Sequence, residues 1–115
     1  MKIAFTAKGP GWNSKVDPRF GRTEYLLIYE TGREELISFD NRDIENEAHG
    51  AGPKTAKLIY DNAVDIIITG NGPGENAALA LEKAGVKIFT GAGRMTVKEA
   101  LEAFNNNQLN EFKIE

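Results

Sequence analysis

From Val64 to Thr69 the chain reads Val-Asp-Ile-Ile-Ile-Thr, an aliphatic run broken by a single acid. A strand wetted on one face alternates apolar and polar residues, whereas a run this uniform fits a parallel strand covered by helices on both faces. Gly70-Asn71-Gly72-Pro73-Gly74 follows, and then an alanine-rich segment with Ala77, Ala80, Leu81 and Ala84 at helical spacing. Gly85 suits the cap that ends such a helix. This strand, glycine turn and helix constrain the rest of the fold, because parallel strands need crossover connections and a sheet to belong to.

The remaining segments supply that sheet. Lys2 to Ala7 reads as a first strand stopped by Lys8-Gly9-Pro10-Gly11, and residues 8–23 form a long irregular loop. Glu24 to Glu30 and Glu35 to Asp40 read as two strands joined by a hairpin at Thr31-Gly32-Arg33, the second an edge strand guarded by acids. Gly52-Pro53 opens a helix with Ala56, Ile59, Tyr60 and Ala63 on one stripe. Val86 to Phe89 is a further buried strand, and Thr96-Val97-Lys98-Glu99 begins a capped helix carrying Val97, Ala100, Leu101 and Phe104. The predicted order is β-β-β-α-β-α-β-α: an α/β fold with a mixed five-stranded sheet and one antiparallel strand, in a single domain over residues 1–115.

Right-handed crossovers send the long loops to one edge of that sheet. Asp17 to Arg22, His49 to Gly52, Gly70 to Pro73 and Gly91 to Arg94 meet there, and each helix start carries a Gly-x-Gly. Helix amino termini hold free N–H groups and partial positive charge, and glycine admits a ligand to the backbone. The expectation is an anion-receptive crevice at the carboxyl ends of the strands. Its walls are Arg19, Phe20, Gly21 and Arg22; His49, Gly50 and Gly52; Gly70, Asn71, Gly72 and Pro73; and Gly91, Gly93 and Arg94. Each Gly-x-Gly also serves as a plain strand-to-helix turn, and that reading stands beside the ligand reading. Asp17, Asp40, Asp43 and Glu75 read as solvated loop acids, and Asp65 belongs at the opposite edge.

Composition narrows the chemistry. The chain has no cysteine and one histidine, His49, so it cannot build a thiolate site or a self-contained zinc or iron–sulfur centre. His49 can offer one metal bond or one proton. A net charge of −3 gives no basic field for nucleic acid. No apolar run reaches membrane-spanning length and no signal peptide is evident, which favours the cytoplasm. A Gly-x-x-x-x-Gly-Lys-Ser/Thr loop and a Gly-x-Ser-x-Gly elbow are both absent, and Gly70-x-Gly72 reaches Glu75 where a dinucleotide fingerprint needs glycine. Too few carboxylates converge for a two-metal nuclease. A carrier for an anion, a small enzyme on a phosphorylated or nucleotide substrate with His49 as acid or base, and a protein-interaction module remain open.

Phe20-Gly21-Arg22, His49-Gly50-Ala51-Gly52 and Val64 to Gly70 with Gly72-Pro73, in that order, resemble the dinitrogenase iron–molybdenum cofactor biosynthesis family. Met1 to Phe5, Val86 to Phe89 and Thr96 to Phe104 extend the resemblance over nearly the whole chain. It implies a ribonuclease-H-like fold and a non-enzymatic role. Such proteins bind an iron–molybdenum or iron–sulfur cluster transiently, without covalent attachment, and pass it between donor and recipient proteins. His49 would be the metal-contacting residue. Cofactor-binding members commonly carry histidine before the Phe-Gly pair, where this chain has Arg19. An arginine suits pairing with an anion rather than metal ligation, and points to a stand-alone relative serving another small anion or cluster.

Overall fold

The computed structural model describes residues 1–42 and 51–113. In chain order the elements are β1 (Lys2–Ala7), β2 (Tyr25–Glu30), β3 (Glu35–Asp40), α1 (Ala51–Asp61), β4 (Ile66–Ile68), α2 (Glu75–Lys83), β5 (Lys87–Thr90), α3 (Val97–Asn105) and β6 (Asn110–Phe112). They build a six-stranded sheet in the order β3-β2-β1-β4-β5-β6.

The apolar first strand lies at the centre, with Ile3 to Ala7 all buried. It pairs in parallel with β4, which pairs in parallel with β5. β2 runs antiparallel to both β1 and β3, as the hairpin predicts, and β3 forms one edge. The sheet has six strands rather than the expected five, and two antiparallel members rather than one. The extra strand, β6, pairs antiparallel with β5 through Asn110, Glu111 and Phe112. A three-residue edge strand with one inward side chain carries almost no periodicity, so its polar sequence resembles a charged tail.

Side-chain alternation along β1 divides the core between the two faces. Ala4 packs with Leu26, Ile28, Ile67 and Ile88 beneath α1 and α2, which contribute Ala56, Ile59, Ala77, Ala78 and Leu81. Ile3 and Phe5 pack with Leu27, Ile66 and Ile68 beneath α3, which contributes Val97 and Ala100. Trp12 covers part of this second face, edge-on to Phe5 and Tyr29.

Two helical stripes differ from expectation. On α1 the inward face is Thr55, Ala56 and Ile59, while Tyr60 is 68% exposed and Ala63 lies beyond the helix at φ 54°. The buried Thr55 hydroxyl donates to the Gly21 carbonyl at 2.9 Å, which turns the stripe away from Tyr60. On α2 Ala78 is buried beside Ala77 and Leu81, whereas Ala80 and Ala84 face outward. Gly85 follows the α2 cap at φ 77°, and Thr96 and Glu99 form the expected capping box of α3. Asp65 accepts from the Lys2 backbone at the edge opposite the glycine loops.

Candidate functional site

The carboxyl ends of β1, β3, β4 and β5 share one sheet edge, and the loops leaving them are stitched together there. The Asn71 N–H donates to the Pro18 carbonyl at 2.8 Å, and the Gly91 N–H to the Gly70 carbonyl at 3.2 Å. Below them the buried Thr6 hydroxyl donates to the Asp17 carbonyl at 2.7 Å and lies 2.9 Å from the Thr69 hydroxyl. These bonds fix the loop after β1 against the loop after β4.

A groove of about 530 Å³ opens beside this junction. That volume lies within the roughly 300–1,000 Å³ usual for small-ligand sites. Arg19, Phe20, Gly21 and Arg22 make one wall, Gly52 and Pro53 of α1 a second, and Gly72 to Ala77 at the start of α2 the third. The two helix mouths approach closely: a Cβ on Gly52 would lie 3.3 Å from that of Ala77. Gly74 caps α2 without a side chain, and the first intrahelical bond runs from the Ala78 N–H to the Gly74 carbonyl. The Glu75, Asn76 and Ala77 N–H groups therefore have no intrahelical acceptor and carry the positive end of the helix dipole at the groove.

The arginine wall rests on Asp17. This carboxylate is fully buried, not a solvated loop acid. Its Oδ1 accepts from the Arg19 backbone N–H at 3.0 Å and from Arg19 Nε at 3.1 Å. Its Oδ2 accepts from Arg19 Nη2 at 3.1 Å and from the Glu24 backbone N–H at 3.0 Å. One carboxylate thus closes the loop from both ends, as burial of a charge requires. Arg19 is half-exposed and lines the groove, yet its guanidinium is already paired. The same Asp-x-Arg spacing recurs at Asp40 and Arg42, where both partners are exposed, so the spacing alone does not mark a buried carboxylate.

The third helix mouth does not join the groove. α3 lies on the other sheet face, and its first N–H groups are filled. The Val97 N–H donates to the Ser14 carbonyl at 2.8 Å, the Lys98 N–H to the Trp12 carbonyl at 2.9 Å, and the Glu99 N–H to the Thr96 hydroxyl at 3.1 Å. Reciprocally, Glu99 accepts the Thr96 N–H at 2.8 Å, a bond that holds its carboxyl below the usual range. Gly91, Gly93 and Arg94 are exposed and do not line the groove.

Packing, not ligand access, explains two further glycines. A Cβ on Gly70 would lie 2.6 Å from Pro18 Cα and 3.0 Å from Gly93 Cα. One on Gly72 would lie 2.5 Å from the Phe112 ring of β6. Of the predicted site residues, Arg19, Phe20, Gly21, Arg22, Gly52, Gly72 and Pro73 come together; Gly70 and Asn71 support them. His49 and Gly50 lie outside the described residues. Gly74, Glu75, Asn76 and Ala77 are additional lining residues.

Among the described residues no group of three or more histidine, cysteine or acidic side chains is placed to hold a metal ion. The described lining, arginine side chains and the N–H groups at the start of α2, is of hydrogen-bond-donor character and suits negative charge. No helix among the described residues is long and apolar enough to cross a membrane.

The family model described as dinitrogenase iron–molybdenum cofactor matches residues 1–107. An uncharacterised protein of Methanocaldococcus jannaschii is 31% identical over 118 residues, covering 98% of this chain and 92% of its own. The apo form of the orange protein from Desulfovibrio gigas superposes with a TM-score of 0.90 at 32% identity, over 96% of this chain and 92% of that one. A Thermotoga protein provisionally assigned as NifB, solved by NMR, matches with a TM-score of 0.81 at 35% identity, over 99% of this chain and 97% of that one.

Proposed function

The chain belongs to the dinitrogenase iron–molybdenum cofactor family, and we propose that it is a cytoplasmic, non-enzymatic carrier of an anionic metal cluster. The cluster, of iron–molybdenum or iron–sulfur type, is cargo. It is taken from one assembly protein and released to another, with no covalent bond to the chain. The strand order, with helices on both faces, supports reading the fold as ribonuclease-H-like.

The observation that carries this reading is the open amino terminus of α2 beside the Arg19–Arg22 wall, in a groove large enough for a multi-atom anion. Backbone N–H groups and the helix dipole bind negative charge without displacing any metal ligand the cluster brings. Such a grip is reversible, as handover requires. A relative solved in an apo form is consistent with a site that fills and empties. His49 would add one metal contact.

Titration with isolated iron–molybdenum cofactor, followed by amide shifts and visible absorption, tests the proposal. Shifts at Phe20 to Arg22 and Gly74 to Ala77 are expected. Shifts confined to the α3 mouth, or none at all, would overturn the site. Turnover of phosphate esters would overturn the non-enzymatic role.

A further inference from the structure

Arg19 lines the groove, yet its Nε and Nη2 are both engaged by Asp17, at 3.1 Å each. Guanidinium binds a planar or tetrahedral oxyanion through parallel N–H pairs, and the Nε–Nη2 edge is one of those pairs. Here that edge is filled by a carboxylate of the same loop, wholly out of water. The carboxylate is also held in place by the Arg19 and Glu24 backbone N–H groups, so it does not swing aside. A small oxyanion entering the groove must compete with a tethered, preorganised rival for this edge. A bulky cluster spreads its charge over many outer atoms and meets the α2 amino terminus without needing the edge.

We propose that Asp17 is a specificity-determining residue that occupies the binding edge of Arg19 and so keeps sulfate- and phosphate-like anions from filling the groove. The inference rests on the groove being the anion site proposed above. It assigns Asp17 a role beyond closing its loop, and it names what the carrier must reject: abundant small oxyanions that favour helix amino termini.

The test compares inorganic sulfate binding to the wild type, Asp17→Asn and Asp17→Asn/Arg19→Gln at low ionic strength, by amide shifts at Phe20 to Arg22. Losing the carboxylate's charge and one of its two acceptor oxygens weakens the hold on the Arg19 fork and should raise sulfate affinity by about tenfold in Asp17→Asn. The double variant should return to the wild-type value, because the gain belongs to Arg19. A residue that merely shaped the loop would show no such reversal. An unchanged affinity in Asp17→Asn, or a gain that survives Arg19→Gln, overturns the proposal. Should Asp17→Asn fail to fold, the Arg19 Nε–H resonance of the wild type decides. It stays in place on sulfate addition if Asp17 holds the edge, and its displacement overturns the proposal. Cofactor titration of the wild type reads the carrier function separately. Failure there ends the carrier reading, while the sulfate comparison still decides Asp17.

Discussion

The starts of α2 and α3 share a sequence signature and differ in fate. Each follows a strand of the parallel part of the sheet and a Gly-x-Gly. At α3 the Thr96–Glu99 box and the Ser14 and Trp12 carbonyls take the free N–H groups. At α2 the cap is Gly74, with no side chain to offer, and the N–H groups face a groove. A Gly-x-Gly after a strand thus announces a turn into a helix. What the cap residue carries decides whether that helix start is structural or receptive.

The largest expected effect comes from forcing the two starts apart. Gly70 lies between Pro18 and Gly93, where the loops preceding α2 and α3 cross. Gly70→Val inserts a branched side chain against backbone that cannot yield, and should cost about 3 kcal/mol by urea denaturation, the upper end for overpacking. A cost near zero would show that the loops are not braced against each other.

Next in size is closure of the open start. Gly74 has an extended backbone at φ −62° and ψ 165°, and a Cβ there meets nothing within 4 Å. Gly74→Asp supplies the missing cap and a negative charge. Stability should rise by a few tenths of a kcal/mol, about the usual gain over a glycine cap. Cofactor affinity should fall by about tenfold, as expected for a charge placed where the dipole attracts the cargo. Stability and affinity moving together would break the comparison.

The converse change opens α3. Thr96→Ala should cost about 1 kcal/mol, the usual loss for a cap hydroxyl. Cofactor affinity should stay the same, because this start lies on the other sheet face, under the Ser14 and Trp12 carbonyls. A tenfold change in affinity would place the cargo elsewhere.

Much of this was legible in the residues. The aliphatic runs of β1 and β4 and the hairpin at Gly32 specify the sheet, and the box at Thr96 specifies the start of α3. That same box already marks α3 as satisfied, yet counting three glycine turns on one edge outweighs it in a purely positional reading. Face assignment is the missing step: strand position in the sheet, not loop composition, sends α1 and α2 to one side and α3 to the other. Asp17 was illegible for a different reason. Burial of a loop acid depends on donors brought by folding, here the Arg19 and Glu24 N–H groups, and no local pattern announces them. β6 is too short for periodicity, and its Phe112 explains Gly72 only once the ring is seen against that glycine.

The smallest effect is electrostatic and distinguishes the closed start by pH. The Thr96 N–H holds the Glu99 carboxyl below its usual range, so the folded state favours the ionised form. Stability from this bond is fully present above the unfolded glutamate value and is lost as pH falls through the folded one. Asp40, held down to about 2 by Arg42 at the end of β3, follows the same sign over the interval from 3.8 to about 2. Both groups are solvent-exposed, so screening keeps each contribution small. Glu99→Gln retains a side chain able to accept the Thr96 N–H but removes the titration. Urea midpoints measured from neutral pH down into the acid range should therefore fall less steeply in Glu99→Gln than in the wild type, and Asp40→Asn should flatten only the most acidic part of the curve. Parallel curves for Glu99→Gln and the wild type would mean that the closed start of α3 draws nothing from the charge of its box. The contrast with α2 would then rest on the Thr96 hydroxyl and the Ser14 and Trp12 carbonyls alone.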